Sequence, residues 1–154
     1  MTTYGPFYPS VVDAGDWSNP NNAKIEDAAV AVVQGTAPEL RANTFNATVP
    51  SDKRVKRVQI GVKVGCSSPG STSMAIDTLQ LQLNGVDVGG PAVHGDACGE
   101  SLAWHEFWVN GLDLPAADVN SAALGVYAAW YDSNGMGEDG ETRVDAIRIT
   151  IEAE

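Results

Sequence analysis

Leu112-Asp-Leu-Pro-Ala-Ala-Asp-Val-Asn-Ser-Ala-Ala-Leu-Gly-Val-Tyr127 decides the reading of this chain, together with the segment Arg143-Val-Asp-Ala-Ile-Arg-Ile-Thr-Ile151 that closes it. A polar turn, Pro115 to Asn120, runs into an apolar stretch from Ala122 to Tyr131, which reads as a central strand buried on both faces. After a loop rich in Gly, Asp, Glu and Asn the chain alternates. Asp145, Ile147, Ile149 and Ile151 fall on one side; Val144, Ala146 and Arg148 fall on the other. Three isoleucines mark the first side as the buried one, because strand side chains repeat with a period of two.

Working outward from these two strands, the same period recurs. Val58, Ile60, Val62 and Val64 alternate with Arg57, Gln59, Gly61 and Lys63. Leu79, Leu81 and Leu83 alternate with Gln80, Gln82 and Asn84, and Asn84-Gly85 followed by Val86-Asp-Val88 is a hairpin signal. Ile25 to Val33 reads as an apolar strand. Leu40 to Val49 reads as a strand whose inward side carries Phe45 and Val49. Leu102 to Val109 places Trp104 and Trp108 on one side. Only Leu114 to Asn120 suits a helical turn, with Pro115 in its first position. Seven or eight short strands and no long helix predict an all-β chain, a single antiparallel β-sandwich of jelly-roll-like form.

Residues 1–16 do not read as a strand or a helix, because Pro6 and Pro9 remove amide donors and Gly5 and Gly15 loosen the backbone. Tyr4, Phe7 and Tyr8 are too large and apolar to leave in water. The expectation is an extended N-terminal arm over 1–16 that lies on its own sandwich or on a neighbouring chain, followed by a sandwich domain over 17–154. Deletion of the arm is expected to abolish assembly if the neighbour is the surface.

Charge narrows the partners. The formal net charge is −11, which opposes contact with the phosphates of DNA or RNA and with anionic membranes. No stretch is long and apolar enough to span a bilayer, and the first residues carry no secretory leader, so synthesis in a cytoplasm is the expectation. Lys53-Arg-Val-Lys-Arg57 is the basic cluster. Lys53 and Arg54 are candidates to grip an acidic neighbour; the alternative is a solvated outer face.

Chemistry is sparse. His94 and His105 have no nucleophile marked beside them, and neither a Gly-x-Ser-x-Gly elbow nor a phosphate-cradling loop is present. No catalytic residue, metal ligand set or cofactor is therefore expected. Asp132 to Glu141 invites a calcium reading, but Met136 and Arg143 stand where an EF-hand needs ligands, which favours a solvated acidic loop. Trp104, Trp108, Trp130 and Tyr131 could form a sugar platform, yet their strand positions fit core packing at least as well. Cys66 and Cys98 leave two readings. A bridge would close a loop of about thirty residues, whereas a reducing cytoplasm favours two buried thiols.

Four short segments carry a resemblance. Trp17-Ser-Asn-Pro-Asn-Asn-Ala23 opens the order, Leu40 to Ser51 ends in a Val-Pro-Ser corner, Leu114-Pro-Ala-Ala-Asp-Val-Asn120 forms a turn, and Val144-Asp-Ala-Ile-Arg-Ile-Thr-Ile151 closes it. This order resembles a family of small β-sandwich virion proteins of tailed bacteriophages, most often capsid decoration proteins. The resemblance implies a structural protein on the capsid exterior that binds the major capsid protein, commonly as a homotrimer, with no enzymatic activity. The alternative is a tail or fibre adhesin, or a carbohydrate-binding module on the virion.

Overall fold

The computed structural model describes residues 1–13, 15–35, 37–67, 74–93, 95–133 and 140–154. Its twelve strands are β1 (Thr2–Phe7), β2 (Val11–Asp13), β3 (Ala31–Gly35), β4 (Glu39–Asn43), β5 (Arg54–Ser67), β6 (Met74–Leu83), β7 (Val86–Asp87), β8 (Asp96–Ala97), β9 (Ala103–Val109), β10 (Leu114–Pro115), β11 (Leu124–Asp132) and β12 (Gly140–Ala153). One helical turn, α1 (Ala116–Val119), precedes β11, and Pro20–Ala23 forms a 3-10 turn.

The strands form two antiparallel sheets. In sheet I, β12 and β5 are central and 14 residues long. β1 and β3 share the outer side of β12, and β9 and β10 share the far side of β5. Sheet II runs β2-β4-β11-β6, with β7 and β8 both beyond β6. The principal strands β3, β4, β5 and β6 alternate between the sheets; after β8 the chain alternates again through β9, β11 and β12. This is the jelly-roll wrapping expected from the sequence. The count exceeds seven or eight because β1, β2, β7, β8 and β10 are short edge pieces with weak periodicity.

Between the sheets, Ile60, Val62, Ile147, Ile149 and Ile151 of sheet I meet Leu40, Leu79, Leu81, Leu124 and Trp130 of sheet II, all essentially inaccessible to water. Each such side chain contributes about 1.5–3 kcal/mol through burial. Trp130 packs on Trp17 with ring centroids 5.6 Å apart. The Asn84-Gly85 turn forms as predicted, with both residues at positive φ, and β11 lies in the middle of its sheet.

Several expectations are corrected. Residues 1–16 do not form a separate arm. Thr2–Phe7 pairs with β12 and Val11–Asp13 pairs with β4, so the surface that covers Tyr4 and Phe7 is the chain's own sandwich. Pro6 is tolerated because β1 is an edge strand and its pairing shifts between Tyr4 and Phe7. The strand expected from Ile25 begins only at Ala31. Ala28 has φ +65°, and the buried Asp145 carboxylate accepts the amides of Asp27 and Ala28 at 3.1 and 2.8 Å. Those two bonds hold the segment as a loop and leave Ile25 58% exposed.

Two parity errors have the same kind of cause. Thr44 and Asn46 adopt positive φ, so β4 ends at Asn43 and the inward set changes from Leu40 and Ala42 to Phe45, Ala47 and Val49. In β12 the ladder slips between Val144 and Ala146, which buries both Val144 and Ile147. Pro115 caps α1 in an extended conformation and does not open it. Cys66 and Cys98 are bridged, with Cα atoms 5.6 Å apart. The bridge joins β5 of sheet I to the segment after β8 of sheet II, a proximity that loop text alone does not reveal.

Candidate functional site

The outer face of sheet I brings together two half-exposed tryptophans, Trp104 and Trp108, with the guanidinium groups of Arg57 and Arg148. In β9 the residues facing the core are His105, Phe107 and Val109, which pair with Val62, Ile60 and Val58. Trp104, Glu106 and Trp108 therefore point outward, beside Lys63, Gly61 and Gln59 of β5. The next strand adds Arg148, Thr150 and Glu152 from β12. Trp104 and Trp108 are thus not core residues; only Trp17 and Trp130 of the four tryptophans are buried.

Charge and aromatic groups interlock across this face. The Arg148 guanidinium lies 3.8 Å from the centroid of Trp104 and donates to Glu106 Oε1 at 2.6 Å. Arg57 lies 4.3 Å from the centroid of Trp108 and donates to Glu152 Oε2 at 2.7 Å. Each arrangement joins a cation–π contact to a charge-assisted hydrogen bond. Gly61 makes the crossing possible. A Cβ there would sit 3.2 Å from Arg148 Cγ and 3.3 Å from both Glu106 Oε1 and Trp104.

The electrostatics follow the geometry. Burial works against the charge on Arg148, but hydrogen bonds to Glu106 and Tyr8 outweigh it and raise its pKa. The Arg57 hydrogen bond holds the Glu152 carboxyl below its usual range. At the far end of this face Lys63 bonds Glu26 at 2.8 Å and the buried Asp145 at 3.1 Å, and those partners raise its pKa, Glu26 first.

The residues singled out from sequence divide. Tyr8 reaches the sheet I face through Arg148. Tyr4 and Phe7 pack against the core instead. Arg54 lies at the corner near β10, where it and Lys56 bond Asp113, at 2.7 and 2.8 Å. These two bonds hold the Asp113 carboxyl well below the usual carboxylate range. Lys53 occupies the same corner through its backbone, which bonds Pro50 and Ala116 at 3.0 and 3.3 Å. Much of the basic cluster is therefore neutralised within the chain. Gly61, Glu106 and Arg148 carry no such mark in the sequence, and Arg57 stands out there only as the end of the basic cluster; the signal that points to them is the apolar set Phe107 and Val109, which turns the tryptophans outward.

His105 Nδ1 lies 2.6 Å from Asp96 Oδ2, a contact that ties β9 to β8 across the open side of the sandwich. His94 and residues 134–139 of the acidic segment lie outside the described residues. Among the described residues no cluster of three or more His, Cys, Asp or Glu side chains suits a metal ion, and no helix is long and apolar enough to cross a membrane.

No protein-family model and no curated protein sequence matches this chain. Among solved structures the chain is similar to a carbohydrate-binding module described as "CBM4 structure and function", at 11% identity and TM-score 0.46, covering 97% of this chain and 93% of that one. It is similar to the CBM22-1 xylan-binding domain of Paenibacillus barcinonensis Xyn10C, at 11% identity and TM-score 0.44, covering 97% and 92%. It is also similar to the tripod from the baseplate of bacteriophage Tuc2009, at 10% identity and TM-score 0.43, covering 99% of this chain and 57% of that one. Likenesses at this level of identity say nothing about ligand or partner, and the chain's architecture, an antiparallel β-sandwich, rests on its own two sheets.

Proposed function

We propose that this chain is a non-catalytic structural protein of a phage particle, which decorates the capsid exterior by docking the outer face of sheet I on the major capsid protein. The observation that carries this reading is the ladder Trp104–Arg148–Glu106 and Trp108–Arg57–Glu152. Trp, Tyr and Arg are the residue types that dominate binding energy at protein interfaces. Here their side chains are already ordered by neighbours, which lowers the entropy cost of docking. A guanidinium group already occupies one face of each of the Trp104 and Trp108 rings, which closes that face to a stacked sugar.

The mechanism is linkage. A protein that binds only the assembled shell stabilises that shell against dissociation. Attachment buries more than about 1,000 Å² per chain, the usual floor for a specific interface, and the resemblance to decoration proteins adds a trimeric arrangement. The test is co-sedimentation of purified protein with expanded capsids that lack it. Saturable binding at fixed stoichiometry, lost on replacing Trp104 and Trp108 together with Ala, supports the reading. No binding, or binding indifferent to both replacements, overturns it.

A further inference from the structure

The outer face of sheet II carries a different chemistry. Gly125, on central β11, is the register partner of Asn43 on β4 and of Gln82 on β6. Their chain neighbours Ala42, Val126 and Leu81 are buried in the core, so this row of three faces outward. A glycine between two amides leaves a slot whose walls stand two strand spacings apart, about 9.5 Å. The close approach of backbone is real: a Cβ on Gly125 would lie 3.1 Å from the Ala42 carbonyl oxygen. The slot belongs to a cavity of about 250 Å³ lined also by Arg41, Asn84 and Ala123. Arg41 in turn borders a second cavity, of about 340 Å³, that continues toward Asp13 and Glu39.

The two amide walls are oriented. Asn43 Oδ1 accepts the Thr44 hydroxyl at 2.8 Å, which leaves Nδ2 to donate. Gln82 Nε2 donates to Asp87 at 2.9 Å, which leaves Oε1 to accept. A donor on one wall and an acceptor on the other match the hydroxyl group, which does both.

We propose that this slot, with Asn43 and Gln82 as its walls and Gly125 as its floor, binds a neutral carbohydrate. The site is independent of shell docking and lies on the opposite sheet. An anionic ligand is disfavoured by the net charge of −11 and by the pairing of Arg41 with Glu39, at 3.6 Å. A peptide added as a strand needs a free edge, and β11 is hydrogen-bonded on both sides. The lining mixes small apolar residues such as Ala122 and Ala123 with the polar Asn43, Gln82 and Asn84, and it holds no aromatic or large apolar side chain to anchor a partner's side chain. Saccharides on a host-cell surface and free oligosaccharides share this chemistry.

The test is affinity electrophoresis of the full chain in native gels containing soluble neutral glucan, galactan, mannan or xylan, each against a polysaccharide-free gel. Retardation by at least one polysaccharide is expected, competed by its free oligosaccharide. Replacing Asn43 and Gln82 together with Ala removes two hydrogen bonds and raises the dissociation constant about tenfold or more. Gly125→Ser fills the slot while keeping both amides and should give the same loss. Absence of retardation in every gel overturns the proposal, as does retardation unchanged in the double variant. That double variant should still co-sediment with capsids, so glycan binding and shell binding fail separately.

Discussion

Asn120 clasps Val49: its side chain accepts the Val49 amide at 2.9 Å and donates to the Val49 carbonyl at 2.7 Å. One side chain thereby stands in for a strand partner, joining the turn before β11 to the Val-Pro-Ser corner before β5. Two of the segments that carry the phage-protein resemblance are held together by this contact. Replacing Asn120 with Ala leaves both part-buried backbone groups of Val49 without their protein partner and should cost roughly 2–3 kcal/mol. Urea denaturation measures this; a loss under about 0.5 kcal/mol would show that the corner is held by other contacts.

The bridge between Cys66 and Cys98 spans a sequence separation of 32. Cross-linking a loop of that size stabilises by about 3–4 kcal/mol in the chain-entropy description. Replacing both cysteines with Ala should lower stability by that order without changing the fold. Denaturation of the oxidised protein, the reduced protein and the double variant should give one stable and two equally weakened species. Equal stability of all three would mean that the bridge contributes nothing.

Tyr127 has its phenolic pKa pushed up to about 12, by burial first and then by its hydrogen bond to Glu39, which it donates at 2.7 Å. The folded state holds this proton more tightly than the unfolded chain, whose tyrosine ionises near 10.0. The contribution is therefore complete below pH 10 and is lost as pH rises from about 10 to about 12. Phenolate absorbance in an alkaline titration should show one of the four tyrosines ionising late, and Tyr127→Phe should remove that step. A titration without that late step, or one in which Tyr127→Phe leaves it in place, would contradict it.

Gly61 supports the sheet I face without taking part in the core. Its φ is not in the left-handed region and the atoms that would meet a Cβ are side-chain atoms of Arg148, Glu106 and Trp104. Gly61→Val should displace Arg148 from Trp104 at a stability cost of about 1–3 kcal/mol, while weakening attachment to shells. Tryptophan emission that shifts together with a loss of co-sedimentation is the expected pattern. Full attachment with a shifted emission would detach the ladder from docking.

The elements legible in the sequence are those where local pattern and tertiary environment agree. Val58 to Val64 and Leu79 to Leu83 alternate, each lies in a long strand, and Asn84-Gly85 supplies the turn that its neighbours need. Illegible features arise where one residue changes the parity of those that follow. Positive φ at Thr44 and Asn46 and the slip after Val144 do this, and no period-two count detects either. Glycine and proline hid β1, whose strand geometry is imposed by β12 and not by its own propensity. For the candidate site the difficulty was of another kind. Trp104 and Trp108 were visible, but the residues that turn them into a face come from β5 and β12, and only the register brings Arg57, Gly61 and Arg148 against them.

Thr2 and Ala153 are register partners at the end of the β1–β12 ladder, and Glu154 exchanges backbone hydrogen bonds with Arg54 at 2.8 and 3.0 Å. A load that pulls residues 1 and 154 apart therefore acts across an antiparallel ladder from its open end. The bonds of β1 fail in succession, as in a zipper, and are never sheared together. The last residues stay gripped by β5 on the other side. Under tension the jelly roll would pay out a few residues of edge strand at low force while the isoleucine-packed interior carried none of the strain.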